Sequence, residues 1–333
     1  AASDPDGDSL TFSVVTPLDY FLLPGGAAFA TSAGGTLVYS AAANVWELVW
    51  LDRAGRVAGS LGTPGNYLGV RLSPDGQRAL ASRALPMIGT YDVWSIDVAR
   101  GTETRLTMSR NSEFAPLLLP GGRDLVYSLV EGSIPTLHRQ NLETGKIEAM
   151  LPAKGFQWAQ ALSPDGRRLA YLERSEGRAA RAMSVAVDGV SAPEPMLPAG
   201  PTISAVCFSP DGRYFAFLSD ESGGDEVYVA PFPGPGQKVR VSDGGATALR
   251  WPAGSGEILY LSPDGRVVSV PVATSPVLRL GTPVTLFRFA QGSPWLGFDV
   301  TVDGRRILAI VSRVDANKMP LSVVVNWPQG VEK

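Results

Sequence analysis

A single cysteine and a single histidine stand among the 333 residues. With Cys207 alone, no intramolecular disulfide and no cysteine-based metal site can form. Its place in an apolar run before Ser209 reads as an inert core thiol. A Ser/His/Asp triad or a histidine metal centre needs imidazoles, and the one present, His138, sits beside Arg139 in a strand-like run where a structural role is expected. Excess positive charge is lacking too. A net charge of -3 and a pI near 5.4 leave no global attraction for nucleic acid or anionic lipid, so no nucleic-acid partner is expected. Hydrophobic residues make up 44%, yet no uninterrupted run is long enough to span a bilayer and no basic leader precedes an apolar core. No membrane insertion is expected of this chain. It begins at Ala1 rather than Met, as a processed chain, an excised domain or an incomplete one would.

What is present is a repeat. The clearest copy runs from Ile203 to Phe232. An apolar strand leads into Ser209-Pro210-Asp211-Gly212, where Pro presets φ and Gly takes the φ > 0 position. A second strand returns, and after a polar turn a third alternates Val227 and Val229 with Tyr228 and Ala230. Related turns stand at Ser32-Ala33-Gly34-Gly35, Ser73-Pro74-Asp75-Gly76, Leu119-Pro120-Gly121-Gly122, Ser163-Pro164-Asp165-Gly166, a degenerate Pro252-Ala253-Gly254-Ser255-Gly256, and Thr301-Val302-Asp303-Gly304. They lie roughly 41 to 48 residues apart, near the period of four strands per propeller blade. Seven turns predict an all-β, seven-bladed antiparallel β-propeller, with six or eight blades as alternatives. The last copy offers only three strands, so the orphan strand Ser9–Val15 is expected to close the ring as its fourth, covering an exposed edge. Its alternative use is self-association by donation to a neighbouring molecule. Residues 1–24 are thus an N-terminal extension and 25–333 the propeller. Trp50, Trp94, Tyr127, Tyr171, Phe217 and Tyr260 fall at strand positions suited to packing between blades.

The turn, the strand Arg167–Leu172 and runs such as Asp92-Val93-Trp94-Ser95-Ile96-Asp97 before Arg100-Gly101 resemble the TolB-type, WD40-like propeller repeat. Leu48-Val49-Trp50-Leu51-Asp52-Arg53-Ala54-Gly55, Ser219–Gly223 with Val227-Tyr228-Val229 and Pro231–Gly236, and Val323-Val324-Val325-Asn326-Trp327 resemble the propeller module C-terminal to many bacterial eukaryotic-like serine/threonine kinases. That resemblance implies a non-catalytic sensor or interaction domain outside the membrane of a bacterium. No Gly-rich phosphate loop or His-Arg-Asp catalytic loop is present. Residues 4–14 resemble the start of bacterial adhesin or cadherin-like repeats, which implies a secreted or surface protein.

Few residues point to chemistry. Asp4, Asp6 and Asp8 alternate as calcium loops begin, but Val15 stands where the bidentate Glu belongs, and a solvated turn is the other reading. No other cofactor is expected. Asp75, Asp165, Asp211 and Asp303 recur because the turn favours a short side chain bonded to its own backbone. Ligands of propellers bind where the first strands of the blades converge on the channel. Alignment on the turns puts Tyr67, Glu113, Phe156, Gln157, Trp158, Ile203 and Trp295 at that rim, with the aromatic residues suited to a protein segment or small ligand. The alternative is that they plug the channel. The chain is therefore expected to be a non-catalytic binding, sensor or scaffold propeller outside the cytoplasm, or alternatively a structural subunit of a surface assembly.

Overall fold

The computed structural model describes residues 29–31, 37–39, 46–84, 89–153, 155–189, 191–234, 236–289, 295–312 and 322–324. Among them every regular element is a β-strand: β1 (Phe29–Thr31), β2 (Leu37–Tyr39), β3 (Trp46–Leu51), β4 (Val57–Leu72), β5 (Arg78–Ala84), β6 (Tyr91–Asp97), β7 (Glu103–Arg105), β8 (Ser112–Leu118), β9 (Asp124–Glu131), β10 (Ile134–Asn141), β11 (Ile147–Ala149), β12 (Phe156–Leu162), β13 (Arg168–Arg174), β14 (Arg181–Ala186), β15 (Glu194–Pro195), β16 (Ile203–Phe208), β17 (Tyr214–Ser219), β18 (Glu226–Pro231), β19 (Val239–Arg240), β20 (Ala248–Arg250), β21 (Glu257–Leu261), β22 (Arg266–Ala273), β23 (Arg279–Leu280), β24 (Val284–Arg288), β25 (Trp295–Val300), β26 (Ile307–Ser312) and β27 (Ser322–Val324).

The turn chemistry read from the sequence builds the hairpins. In the Ser209 copy the Ser209 hydroxyl donates to Asp211 Oδ1 at 2.7 Å, and Asp211 Oδ1 accepts the Arg213 amide at 3.1 Å. The Tyr214 amide donates back to Ser209 Oγ at 2.9 Å, and Gly212 takes φ 68°. Ser73/Asp75, Ser163/Asp165 and Thr301/Asp303 repeat this arrangement. Each turn joins a first strand to its antiparallel second, and a meander adds the rest. β8–β11, β12–β15 and β16–β19 are four-stranded sheets of this kind, and β20–β24 form a five-stranded one in which both β23 and β24 pair with β22.

Two further sheets share one strand. Residues 57–65 of β4 pair with β3, and Asn66 to Leu72 pair with β5, so the outer strand of one sheet runs directly into the first strand of the next. β4 to β7 therefore make one four-stranded sheet. The other is assembled from both parts of the chain, in the order β25-β26-β3-β4, with Ile307 opposite Leu51 and Ser312 opposite Trp46.

Where the sequence predicts seven sheets, with six or eight as alternatives, the described residues form six such units, five of four strands and one of five. The Ser32–Gly35 copy, counted as the turn of the first blade, separates β1 and β2, which join β27 in a small three-stranded sheet of their own. β3, which follows the first of the aligned turns, and β26, which follows the last, pair with each other. Two strands from each side of the chain are thus hydrogen-bonded into one sheet, and Ser9–Val15, the strand expected to close the ring, lies outside the described residues.

Packing runs around the same circle. The apolar core separates into six clusters, each filled from two adjacent sheets. Alternation along β26 shows how: Ile307 and Ala309 join the cluster with Leu259 and Leu261, whereas Leu308 and Ile310 join the cluster with Tyr67 and Val70. Both faces of each of the six units are covered among the described residues, and stability is shared around the circle. Trp50, Tyr127, Tyr171, Phe217 and Tyr260 are buried there as the sequence predicts. Trp94 is half-buried beneath the Arg83 guanidinium, 5.1 Å from its ring centroid.

A candidate ligand channel

Inside the ring the first strands β4, β8, β12, β16, β20 and β25 stand side by side around an axis. All but β20 carry a register shift against the second strand, between Tyr67 and Gly69, Phe114 and Leu117, Ala159 and Ala161, Ile203 and Ala205, and Trp295 and Gly297. A bulge re-aims the side chains that follow it. At the β8 bulge Ala115 sits at φ 51°, a left-handed conformation that L-residues adopt at a cost.

These shifts decide what faces the axis. The residue two positions before each first-strand turn is Arg71, Leu117, Ala161, Cys207, Arg250 and Asp299 in successive sheets, and all six line one cavity of 210 Å³ at the waist of the channel. A cavity of 150 Å³ opens toward the strand starts, lined among others by Trp158, Phe114 and Ala115. Another of 340 Å³ opens toward the turns, beside Pro74, Pro164 and Trp251. Arg250 borders all three.

The waist has two unlike sides. Arg250, Asp299 and Arg71 are neighbours around the ring. Asp299 Oδ1 accepts Arg250 Nε at 2.9 Å, and its Oδ2 accepts the Leu72 amide at 2.6 Å, stapling β25 to β4. Arg250 Nη1 donates to the Leu249 carbonyl at 2.6 Å, and its guanidinium lies 5.3 Å from the Phe298 ring centroid. Arg71 donates no hydrogen bond among the described residues. Burial, and then repulsion from Arg250, pull its pKa down to about 10, so it remains charged at neutral pH. The opposite side, Leu117, Ala161 and Cys207, is apolar. Burial pushes the Cys207 thiol up to about 12, which keeps it protonated, and the side chain lines the cavity half-buried where the sequence reading put it in the core.

The rim residues expected from the sequence divide. Phe156 and Trp158 are half-buried at the strand-start end and stacked on each other at 5.7 Å, with Phe114 a further 5.5 Å from Trp158. Arg174 covers Phe156 at 5.2 Å. Tyr67, Glu113, Gln157 and Ile203 instead point between the sheets and are buried. Tyr67 donates its hydroxyl to the Thr63 carbonyl at 2.5 Å. Gln157 accepts the Leu137 amide at 3.1 Å and donates to the Pro152 carbonyl at 2.8 Å. Trp295 begins β25, and its side chain, like Asp4, Asp6 and Asp8, lies outside the described residues. Among the described residues no group of three or more His, Cys, Asp and Glu is placed to hold a metal. His138 is buried, with Nδ1 3.2 Å from the Thr136 carbonyl and its ring stacked on Tyr127.

Glu113 belongs to a separate polar cluster between two sheets. Thr107 Oγ1 donates to its carboxylate at 3.2 Å, and the fully buried Asp92 beside it is paired with Arg105 at 3.0 Å. Burial, with the Asp92 charge adding to it, raises Glu113 to about 7. Asp92 is raised as well, first by burial.

No model of a known protein family matches the sequence, and no curated protein matches it. Solved structures do match. A TolB protein from Agrobacterium tumefaciens superposes with a TM-score of 0.62 at 17% identity, over 81% of this chain and 99% of that one. The fold is a TolB-type β-propeller. The same propeller architecture matches the hydrazine synthase of Kuenenia stuttgartiensis, with a TM-score of 0.56, 13% identity and coverage of 90% and 92%. It also matches an oligogalacturonate lyase in complex with manganese, with a TM-score of 0.54, 13% identity and coverage of 87% and 96%. At these identities the likeness concerns the propeller itself, which serves binding proteins and enzymes alike.

Proposed function

We propose that this propeller is a non-catalytic binding or scaffold module outside the cytoplasm, recognising a protein segment or small ligand at the strand-start mouth of its channel. The observation that carries the reading is the aromatic stack Phe156–Trp158–Phe114 at that mouth, with Trp158 half-buried and bordering the cavity. Aromatic side chains at a concave site supply contact area at low entropic cost and are the commonest anchors of recognition. The likeness to TolB structures supports a binding role and an extracytoplasmic location. The resemblance of residues 48–55, 219–236 and 323–327 to the propeller module of bacterial kinases supports a sensor.

A peptide-display selection against the whole chain, counter-screened on Trp158→Ala and Phe156→Ala, tests the reading. Selected peptides should lose at least about tenfold in affinity on either variant, the usual scale of a hot-spot truncation. Peptides indifferent to both substitutions would overturn it.

A further inference from the structure

We propose that the waist of the channel binds the carboxylate of a small organic acid, held by Arg71 and Arg250 with its apolar body against Leu117, Ala161 and Cys207. This rests on the channel being the recognition site, and it adds the chemistry of the ligand.

Three observations converge. First, the charges do not balance: two guanidiniums share one carboxylate, and Asp299 already accepts from Arg250 and two backbone amides, of Leu72 and Val300. Second, hydrogen-bond donors are in surplus. Arg71 carries five N–H donors and its side chain donates none among the described residues, while Ser82, almost fully buried and bordering the neighbouring strand-start cavity that Arg71 also lines, leaves its hydroxyl without a partner. Arg71, half-buried in the channel, has no hydrogen-bonded counter-ion among the described residues and shares Asp299 with Arg250. An anion that accepts from both arginines removes the cost of that imbalance. Third, the ring is divided into a charged arc and an apolar arc facing it across 210 Å³. An inorganic anion would use only the first. A planar carboxylate matches the guanidinium fork, and its hydrocarbon part matches the second.

Thermal melting of the whole chain at low ionic strength, with benzoate, the neutral benzamide and inorganic phosphate as probes, tests this. Benzoate is expected to raise the melting temperature in a concentration-dependent way, benzamide to have no effect, and phosphate to do less than benzoate. Arg71→Gln should weaken benzoate at least about tenfold, the scale of one charge-assisted hydrogen-bonded pair. Because the substitution relieves repulsion with Arg250, it should leave the unliganded melting temperature equal or higher. Leu117→Trp, which fills the cavity from its apolar side, should also abolish the benzoate shift, and it serves if the arginine variant does not fold. Benzoate without effect on the wild type, a shift that survives Arg71→Gln or Leu117→Trp, or phosphate matching benzoate would each overturn the proposal. Peptides that still depend on Trp158 when benzoate fails would leave the mouth a binding site and remove only the carboxylate.

Discussion

Arg53 clasps Glu257 with both arms of its guanidinium, Nη1 to Oε1 at 2.6 Å and Nη2 to Oε2 at 2.9 Å, while Nη1 also reaches the Gly304 carbonyl at 2.9 Å. The arginine lies in the β3–β4 turn, the glutamate at the start of β21 and the glycine in the β25–β26 turn. One side chain therefore ties the two strands supplied from the N-terminal side to the sheets on the C-terminal side.

Arg53→Ala should destabilise the ring by about 1–2 kcal/mol, a modest figure because the guanidinium is partly solvated. Glu257→Gln should cost a similar amount or more, since it also weakens the bond from the Ser269 hydroxyl. A double-mutant cycle by urea unfolding measures the coupling, and additive losses would show the clasp to be inert.

Closure by β3 and β4 predicts that residues 46–312 fold on their own. Such a fragment should melt cooperatively, within a few degrees of the whole chain. A fragment beginning at residue 53 lacks β3, exposes the edge of β26 and should not fold cooperatively. Circular dichroism melts distinguish these outcomes from a ring that depends on Ser9–Val15.

The Glu113 cluster gives stability a pH dependence. The folded pKa of about 7 lies above the unfolded value of 4.5, so the contribution is fully present below about pH 4.5 and is lost as pH rises through 7. The loss is on the order of 2–3 kcal/mol, and the raised Asp92 acts in the same direction. Asp75 and Asp165 act oppositely. Hydrogen bonds from the Ser73 and Ser163 hydroxyls hold them low, so their contribution is present above the unfolded value and lost as pH falls through the folded one. Denaturant midpoints across pH should therefore decline above pH 5. Glu113→Gln should flatten that decline and melt higher than wild type at pH 8; an unchanged slope would refute the assignment.

Two glycines in equivalent turns should respond differently to alanine. At Gly212, φ 68°, an added Cβ meets Pro164 at an ordinary 3.6 Å, so Gly212→Ala should cost about 1–2 kcal/mol for the left-handed conformation alone. At Gly166, φ 69°, the Cβ would collide with the Pro120 ring. Gly166→Ala should cost more, and chemical unfolding of the pair reads the difference.

The all-β repeat was legible because its signal is local. Ser209-Pro210-Asp211-Gly212 encodes its own hydrogen bonds within six residues, whatever the rest of the chain does. The number of sheets stayed open between six, seven and eight, because pairing Ile307 with Leu51 joins residues far apart in sequence that carry no mark of one another. The channel was half legible. Tyr67, Glu113, Gln157 and Ile203 each stand six residues before their turn, where strict alternation back from Arg71, Leu117, Ala161 and Cys207 puts them in the channel. The bulge between reverses the faces, so they turn inward between sheets and Trp158 borders the cavity instead. The signal that would have found the waist was already in the aligned turns, since counting two residues back from each gives Arg71, Cys207, Arg250 and Asp299.

The register of β3 and β26 places Trp46 opposite Ser312, so the chain enters and leaves the ring side by side. Tension applied between those two points would open the strand pair from its end, one hydrogen bond after another, rather than load all of them together. As a load-bearing link in a series the propeller would be weak. Hung as a pendant from a single anchorage, with entry and exit held together, it would carry no tension across the seam at all, and a partner pulling on its mouth would leave the closure untouched.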